Sequence, residues 1–365
     1  MGAGRWRGAG FTAGLSVAVV AVQLAASAAH KVFYLTQLTM AAYALLVVLG
    51  LALLMGYAGQ ASMGQAGFFA IGGYVAAFLT SFDLTSRRSD ALPTLLAKLH
   101  LLQSRPDSYG GTLLHVEPRV ALLVAVAVAA ATAWVIAGPV FRLRGHYLAM
   151  ATLGFGIIVH RIFLGSPHFG GADGISDVPP LALFPGFAIT GRAAARVGNY
   201  YAAWGFALLT LWMLSNLIDS RVGRALRAIH GSENAAAAVG IPIAAYKTRV
   251  FVLAAVLAAV AGVLLTHFNG GIGPSEASVM KSVRYVAIVA VGGMANLRGT
   301  LVMGVVLTFL SLRGYFGTLD DLVFGGILLA MMLFAPEGVV GADLGSRIRA
   351  VFTRRQHDDD GRTSA

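Results

Sequence analysis

Gln60, Ser62 and Gln65 stand among six glycines in "MGYAGQASMGQAGFFAIGGY", residues 55–74, a run otherwise fit for hydrocarbon. Amide and hydroxyl groups in an apolar medium are costly unless they find hydrogen-bond partners. Glycine weakens a helix by roughly 1 kcal/mol relative to alanine. The combination predicts a break around 59–64, because non-helical backbone at membrane depth survives only inside protein or beside a water-filled cavity. Gly59, Gln60, Ser62, Gly64 and Gln65 are therefore pore or gate candidates, whose polar groups either satisfy the freed backbone or line a cavity. The alternative is a tightly packed glycine helix with buried, satisfied amides. A second glycine cluster, Gly292, Gly293, Gly299 and Gly304, is expected to form a matching interruption later in the chain, although no clean repeat is visible.

A different chemistry sits in "DSRVGRALRAIHGSENAAAAVGIPIAAYKTR", residues 219–249. Val222, Leu226 and Ile229 recur at helical spacing while Arg221, Arg224 and Arg227 keep to the other side. Gly231 ends that helix. Ser232 caps the next one, and Glu233 is favourable at its positive end. Ala235 to Ala238 make a narrow, smooth helix, Gly240 is a natural C-cap and Pro242 stops further winding. Two short helices joined by a turn suit a groove in a soluble partner, with Gly223, Arg224, Arg227, Glu233, Ala235, Ala236 and Gly240 at the contact. The plainer reading is a loop whose bases only fix topology.

Other chemistry is missing. With no cysteine there is no disulfide, thiolate metal site or thiol nucleophile. None of the lysines 31, 98, 247 and 281 follows a glycine, so no phosphate-binding G-x-x-x-x-G-K-[ST] exists. All 16 acids fall in loops or near span ends, whereas a proton- or sodium-coupled carrier usually needs a carboxylate within the membrane. The nine histidines are scattered with no H-x-x-x-H, and no nucleophile–base pair is visible. The sequence thus calls for no catalytic residue, metal or cofactor, and any energy for pumping must come from another chain. His160, Arg161 and His267 near span ends read as interfacial or hydrogen-bonded. Lys281 and Arg284 flank the outer end of a span, where they serve as anchors or meet a substrate carboxylate or an acidic lobe of a partner.

The elements that must position these groups follow from composition. The 365 residues are 57% hydrophobic and 12% charged, with mean hydropathy +0.75. Several apolar windows exceed the roughly 18 residues that cross a bilayer core. The fold class is all-α, a polytopic membrane helical bundle of about 8–10 spans with broken or re-entrant glycine-rich segments. Spans are expected at 11–29, 33–55, 66–82, 119–140, 147–165, 199–218, 249–268, 284–295, 300–312 and 321–336. The net charge of +11 is spread over short loops, which suits orientation in an anionic membrane and not nucleic-acid binding. Arg5, Arg7 and the apolar run ending at Ala26-Ser27-Ala28 fit either a retained first span, the favoured reading, or a cleavable signal peptide. In 83–118, Leu92, Leu95, Leu96, Leu99 and Leu102 form a stripe expected of a helix lying in the interface. The segment 166–198 reads as a set of turns. The tail 342–365 reads as disordered and cytoplasmic.

At 223–241 the sequence becomes recognisable. "GRALRAIHGSENAAAAVGI" resembles the coupling loop of ABC importer membrane subunits, and more narrowly the branched-chain amino acid permease family and its M-type (LivM) branch. His230 stands where arginine is usual, Asn234 where an aliphatic is usual and Ala237 where glutamate is usual. The element at 56–74 is similar to the family's G-x-x-G-Q-x-S-x-G-x-x-x-F-x-x-x-G-x-Y. "RLRGHYLAMATLGFG" at 142–156 resembles its R-L-R-G-x-Y block, with Ile157 where glutamate often follows. "GGADGI" at 170–175 resembles an outer-loop motif, with Phe169 in place of threonine; "AVGGMANLRGTLVMG" at 290–304 and "FAPEGVVG" at 334–341 also fit.

The resemblance implies a permease domain over 33–341, preceded by the segment 1–32. It implies a homologous H-type second permease, two cytoplasmic ABC ATPases and an extracytoplasmic solute-binding protein, all at a bacterial plasma membrane. By the same resemblance the chain is not an enzyme, and its substrates are branched-chain or hydrophobic amino acids. Gly170, Gly171, Asp173, Gly174, Lys281 and Arg284 become outer-face docking candidates, and Gly292 and Gly293 join the pore set. Urea or short amides are the rival substrates within the family, and a stand-alone channel or secondary carrier is the rival of another class.

Overall fold

The apolar runs wind into helices whose ends are set by caps and glycines. The computed structural model describes residues 3–82, 102–106, 112–141, 143, 146–184, 186–315 and 317–334. In chain order the helices are α1 (Ala3–Ala28), α2 (Phe33–Ala52), α3 (Gln65–Ser81), α4 (Pro118–Val140), α5 (His146–Gly165), α6 (Arg196–Asp219), α7 (Arg221–Gly231), α8 (Glu233–Ala238), α9 (Ile243–Asn269), α10 (Val279–Gly292), α11 (Leu297–Leu312) and α12 (Asp320–Phe334). Six helices among the described residues are long and apolar enough to span a membrane, and α3 and α11 are shorter apolar ones. The chain is an all-α, multi-pass membrane protein. α3, at 17 residues, rises only about 25 Å, less than a full bilayer core.

The expected span at 284–295 is displaced. Ser278 accepts a hydrogen bond from the Lys281 amide (3.3 Å), so α10 begins at Val279. Gly293 at φ +91° ends it, and Asn296 caps α11 through the Gly299 amide (3.1 Å). Lys281 and Arg284 therefore lie on the helix and do not flank it. Of the expected interfacial helix in 83–118, residues 83–101 lie outside the described residues, as does the tail from 335 onward. Leu102 is on a strand: β1 (Leu102–Pro106) pairs antiparallel with β2 (Thr112–Val116).

α2 is buried almost all round, the signature of a helix at the centre of a bundle. Beside it α3 and α9 approach at backbone distance. A Cβ on Gly72 would lie 2.3 Å from the Ala259 oxygen, and one on Gly262 would lie 2.0 Å from the Phe69 oxygen. In membranes, where lipid is as apolar as leucine, such close packing of small residues drives helix association. α4 uses the same device: Ala121, Ala125, Ala129, Ala133 and Ala137 form one fully buried stripe, with contacts to α3 and α9. Its other face, with Leu123, Trp134 and Val135, is exposed, as a lipid- or subunit-facing surface is.

At the end where α3 finishes, termed outer after the expected orientation, short strands stitch the loops together. β3 (Ile175–Ser176) pairs with β6 (Gly271–Ile272), tying 166–195 to the end of α9. β4 (Leu181–Phe184) and β5 (Phe187–Ile189) form a hairpin between them. The turns expected in 166–198 are thus present, with α6 starting at Arg196.

Candidate translocation gate and coupling surface

α2 does not stop at Ala52; it widens into a π-helical turn over Leu53–Tyr57, the kind of local unwinding that recurs at functional sites. Gly59 then takes φ +65°, and residues 58–64 run without helix until Gln65. The amides freed by this break are met from elsewhere. Met63 N donates to Thr152 Oγ1 of α5 (3.0 Å) and Ala66 N to Ser282 Oγ of α10 (3.2 Å). Gln60, Ser62 and Gln65 are 1%, 2% and 1% exposed. Both amide atoms of each glutamine, and the Ser62 oxygen, have no hydrogen-bond partner among the described residues. These side chains therefore do not satisfy the broken backbone, the first of the two roles expected of them, nor are they the satisfied amides of a packed helix. Each such group costs about 1–3 kcal/mol. Polar side chains gathered without a protein partner at a broken helix mark the segment as a candidate gate.

Two other segments close on the break. A Cβ on Gly56 would sit 1.6 Å from the Met294 oxygen, so only glycine lets the 293–296 turn lie here. Tyr57 Oη donates to the Ala295 oxygen at 2.7 Å. Gly292 and Gly299 let α10 and α11 cross in contact, a Cβ on Gly292 lying 2.3 Å from Thr300 Cα. Gly292 is thus a packing residue and Gly293 a turn residue, both behind the break. Gly64 serves the approach of α3 to α5, its Cβ position being 2.8 Å from the Thr152 oxygen.

From the other side comes His230, the penultimate residue of α7. Its Nδ1 lies 2.9 Å from the Gly56 oxygen, and since a carbonyl only accepts, the ring donates from Nδ1. Its Cδ2 faces Gly59, where a Cβ would lie 3.2 Å away. α7 itself is capped by Ser220, which accepts from Val222 N at 3.1 Å. Gly223, Leu226 and Ile229 are buried while Arg221, Arg224 and Arg227 are exposed. Gly223 fits only as glycine, because its Cβ would lie 2.0 Å from the Ile218 oxygen. Ser232 caps α8 through Ala235 N (3.3 Å), Ala236 is buried, and Ala235, Ala237 and Ala238 are exposed. Gly240 at φ +80° closes α8 with paired bonds, Gly240 N to Ala237 O (2.9 Å) and Ile241 N to Ala236 O (3.1 Å). Val239 beside it is 75% exposed, an apolar side chain with little cover among the described residues. Glu233 is already held by Lys247 (2.6 Å) and so braces the loop against α9.

At the outer end, Gly170, Gly171 and Gly174 all have positive φ, and a Cβ on Gly174 would strike the Ile272 oxygen at 2.2 Å. They make the tight turn that brings Asp173 to the rim of a cleft and β3 to β6. His160 Nδ1 bonds the Pro274 oxygen (3.0 Å) and His267 Nδ1 the Pro179 oxygen (2.6 Å), so both act as struts of this end. Lys281 is paired with Glu276 and lies over the Phe69 ring at 4.6 Å. Arg284 holds Asp320 (2.7 Å) and Asp321 (2.5 Å). Lys281 and Arg284 line a cavity and are not free cations on the outer rim. Ser282, Glu276 and the two aspartates were not singled out from sequence, whereas Thr152 falls within the block at 142–156 and His230 stood out only as a departure from arginine.

Similarity to known proteins supplies the family. Residues 33–334 match the sequence model of the family described as branched-chain amino acid transport system / permease component. The chain belongs to that family. The match to this permease family starts at α2 and ends with α12, so the broken helix, α7–α8 and the outer cleft all lie inside it. The chain is similar to the high-affinity branched-chain amino acid transport system permease protein LivM of Escherichia coli (strain K12), 28% identical over 316 residues, covering 80% of this chain and 66% of that protein. Against LivM of Salmonella typhimurium the identity is 28% over 326 residues, covering 83% and 68%. It is also similar to LivH of Escherichia coli (strain K12), 30% identical over 177 residues, covering 46% and 57%. The chain therefore spans about two thirds of the length of the LivM relatives. No solved structure matches it significantly.

Proposed function

We propose that this permease is the membrane subunit of an ATP-driven importer for branched-chain or other hydrophobic amino acids in the bacterial inner membrane. It supplies half of the translocation pore, and a homologous H-type permease supplies the other half. Two cytoplasmic ATPases seat on α7 and α8 and hydrolyse ATP outside this chain, which itself is not catalytic. An extracytoplasmic solute-binding protein docks on the loops around Gly170, Gly171, Asp173 and Gly174. The similarity to the LivM and LivH branched-chain amino acid permease proteins supports the substrate and the second subunit.

One observation carries the mechanism: the His230–Gly56 contact joins an exposed, cap-delimited loop directly to a broken helix with unpartnered polar groups. Coupling needs an element whose two arrangements both sites sense. Here α6 and α9 flank the loop as levers, and residues 53–64 with the 293–296 turn are the part that moves. Proteoliposomes holding all the partner chains are expected to take up L-leucine only with ATP, and those holding this chain alone are expected to show no flux. Flux through the chain alone overturns the proposal in favour of a channel or carrier. Because the chain has no cysteine, Val239→Cys introduces a single thiol. Labelling of that thiol by an impermeant reagent from outside intact cells would place α8 on the wrong side and end the coupling role.

A further inference from the structure

Near the outer end a cavity of about 390 Å³ opens between α2, α3, α9, α10, α11 and α12. It falls at the small end of ligand sites, which run from roughly 300 to 1,000 Å³. Two of its walls differ in chemistry. Met40, Ala44, Leu265 and Ile288 are apolar, while Glu276, Lys281, Arg284 and Asp321 bring two negative and two positive charges. Asp320 stands just behind, held by Arg284 and by Ser311 Oγ (2.6 Å), with its other carboxylate oxygen buried and unpartnered among the described residues.

We propose that this cavity is a transit site of the membrane subunit for one aliphatic α-amino acid in its zwitterionic form. The reading rests on the import function proposed above and narrows its substrate class. Both signs of charge stand on this wall, so a solute carrying only one sign leaves the other unmatched. A zwitterion does not: its carboxylate meets Arg284 or Lys281, and its ammonium meets Glu276 or Asp321. Partial desolvation by the surrounding helices strengthens both contacts relative to water. The aliphatic side chain then lies along the apolar wall, where each buried methylene adds favourable transfer energy. Because Lys281 is already bonded to Glu276 and Arg284 to the aspartates, entry exchanges ion pairs and never isolates a charge. Urea and short amides carry no charge to exchange and gain less from this wall than a zwitterion does.

The cavity shares a wall with a second cleft on its outer side. Phe69, Leu265, Asn269 and Glu276 line both this cavity and the neighbouring cleft that holds Asp173 and β3. A solute released at the outer loops therefore reaches the charged wall past Phe69, the ring on which Lys281 rests.

The test uses the full chain in lipid nanodiscs and radiolabelled L-leucine in a scintillation proximity assay. Saturable binding is expected, with competition by L-isoleucine at least tenfold stronger than by 4-methylpentanoate, 3-methylbutylamine or isovaleramide. These three share the apolar part but lack the ammonium, the carboxylate or both, so the wild-type chain alone decides the point. Arg284→Gln and Glu276→Gln are each expected to weaken binding at least tenfold while the particles remain monodisperse. No leucine binding, or equal competition by the single-charge analogues, overturns the site. ATP-coupled uptake by the assembled transporter is measured in parallel: uptake without zwitterion-selective binding sinks this site alone, whereas absence of coupled uptake sinks the function on which it rests.

Discussion

Gly56→Ala adds one methyl group at the point where the broken helix meets the 293–296 turn. Its Cβ would lie 1.6 Å from the Met294 oxygen and 2.2 Å from its carbonyl carbon. Real contacts of this kind essentially never fall below 3.0 Å, so one of the two backbones must retreat by at least about 1.4 Å. Overpacking of this kind costs about 1–3 kcal/mol, and the shift also loosens the Tyr57–Ala295 hydrogen bond, worth about 1 kcal/mol. The opposing gain, alanine over glycine in a helix, is at most about 1 kcal/mol. Strain wins, with a net loss of about 1–3 kcal/mol and a melting temperature lower by about 2–6 °C. Gly154→Ala is the control: a Cβ there meets nothing within 4 Å, so only the propensity gain remains. Thermal unfolding of the purified chain followed by size-exclusion, together with ATP-driven L-leucine uptake in proteoliposomes, reads both effects. Uptake is expected to fall several-fold in Gly56→Ala and to be unchanged in Gly154→Ala. Equal melting and equal uptake in the two variants would refute the claim that the break closes on the 293–296 turn by backbone contact.

Gly240→Val puts a β-branched residue at φ +80°, a strain of about 1–3 kcal/mol confined to the end of a six-residue helix; membrane insertion and global melting are expected to hold while coupled uptake is lost, and normal uptake would remove α8 from the coupling path. His230→Ala deletes the donor to the Gly56 oxygen, so uptake per ATP hydrolysed is expected to drop several-fold with hydrolysis itself retained, as measured by simultaneous phosphate release and leucine uptake. Ala129→Leu overfills the fully buried α4 stripe and is expected to lower stability by about 1–3 kcal/mol, seen as a lower melting temperature, whereas Val128→Leu on the exposed face of the same helix leaves it unchanged.

Local chemistry made part of this legible from the chain alone. The break at 58–64 follows from glycines and amides crowded into an apolar run, and the limits of α8 follow from Ser232 and Gly240, whose capping needs only neighbouring backbone. Helix-forming runs of the right length located the bundle, since a bilayer sets that length without reference to other residues. The start of α10 was missed because Ser278 as a cap competes with a stretch of low hydropathy around Lys281, and the pattern weighed the latter more heavily.

What only the tertiary structure decided is which distant side chains meet. His230 and Gly56 are 174 residues apart, and Arg284 and Asp321 are 37 apart. Their pairing depends on how α7, α10 and α12 are placed and rotated against their neighbours. That placement is set by glycine and alanine contacts such as Gly72–Ala259 and Gly292–Thr300, each a matter of shape between two helices. Hydropathy and spacing carry no record of those angles. The sequence determined that Gln60, Ser62 and Gln65 are polar groups in an apolar break, and that no phosphate-binding G-x-x-x-x-G-K-[ST] is present. The fold determined that those three side chains have no hydrogen-bond partner among the described residues, while Thr152 and Ser282 accept from the freed amides.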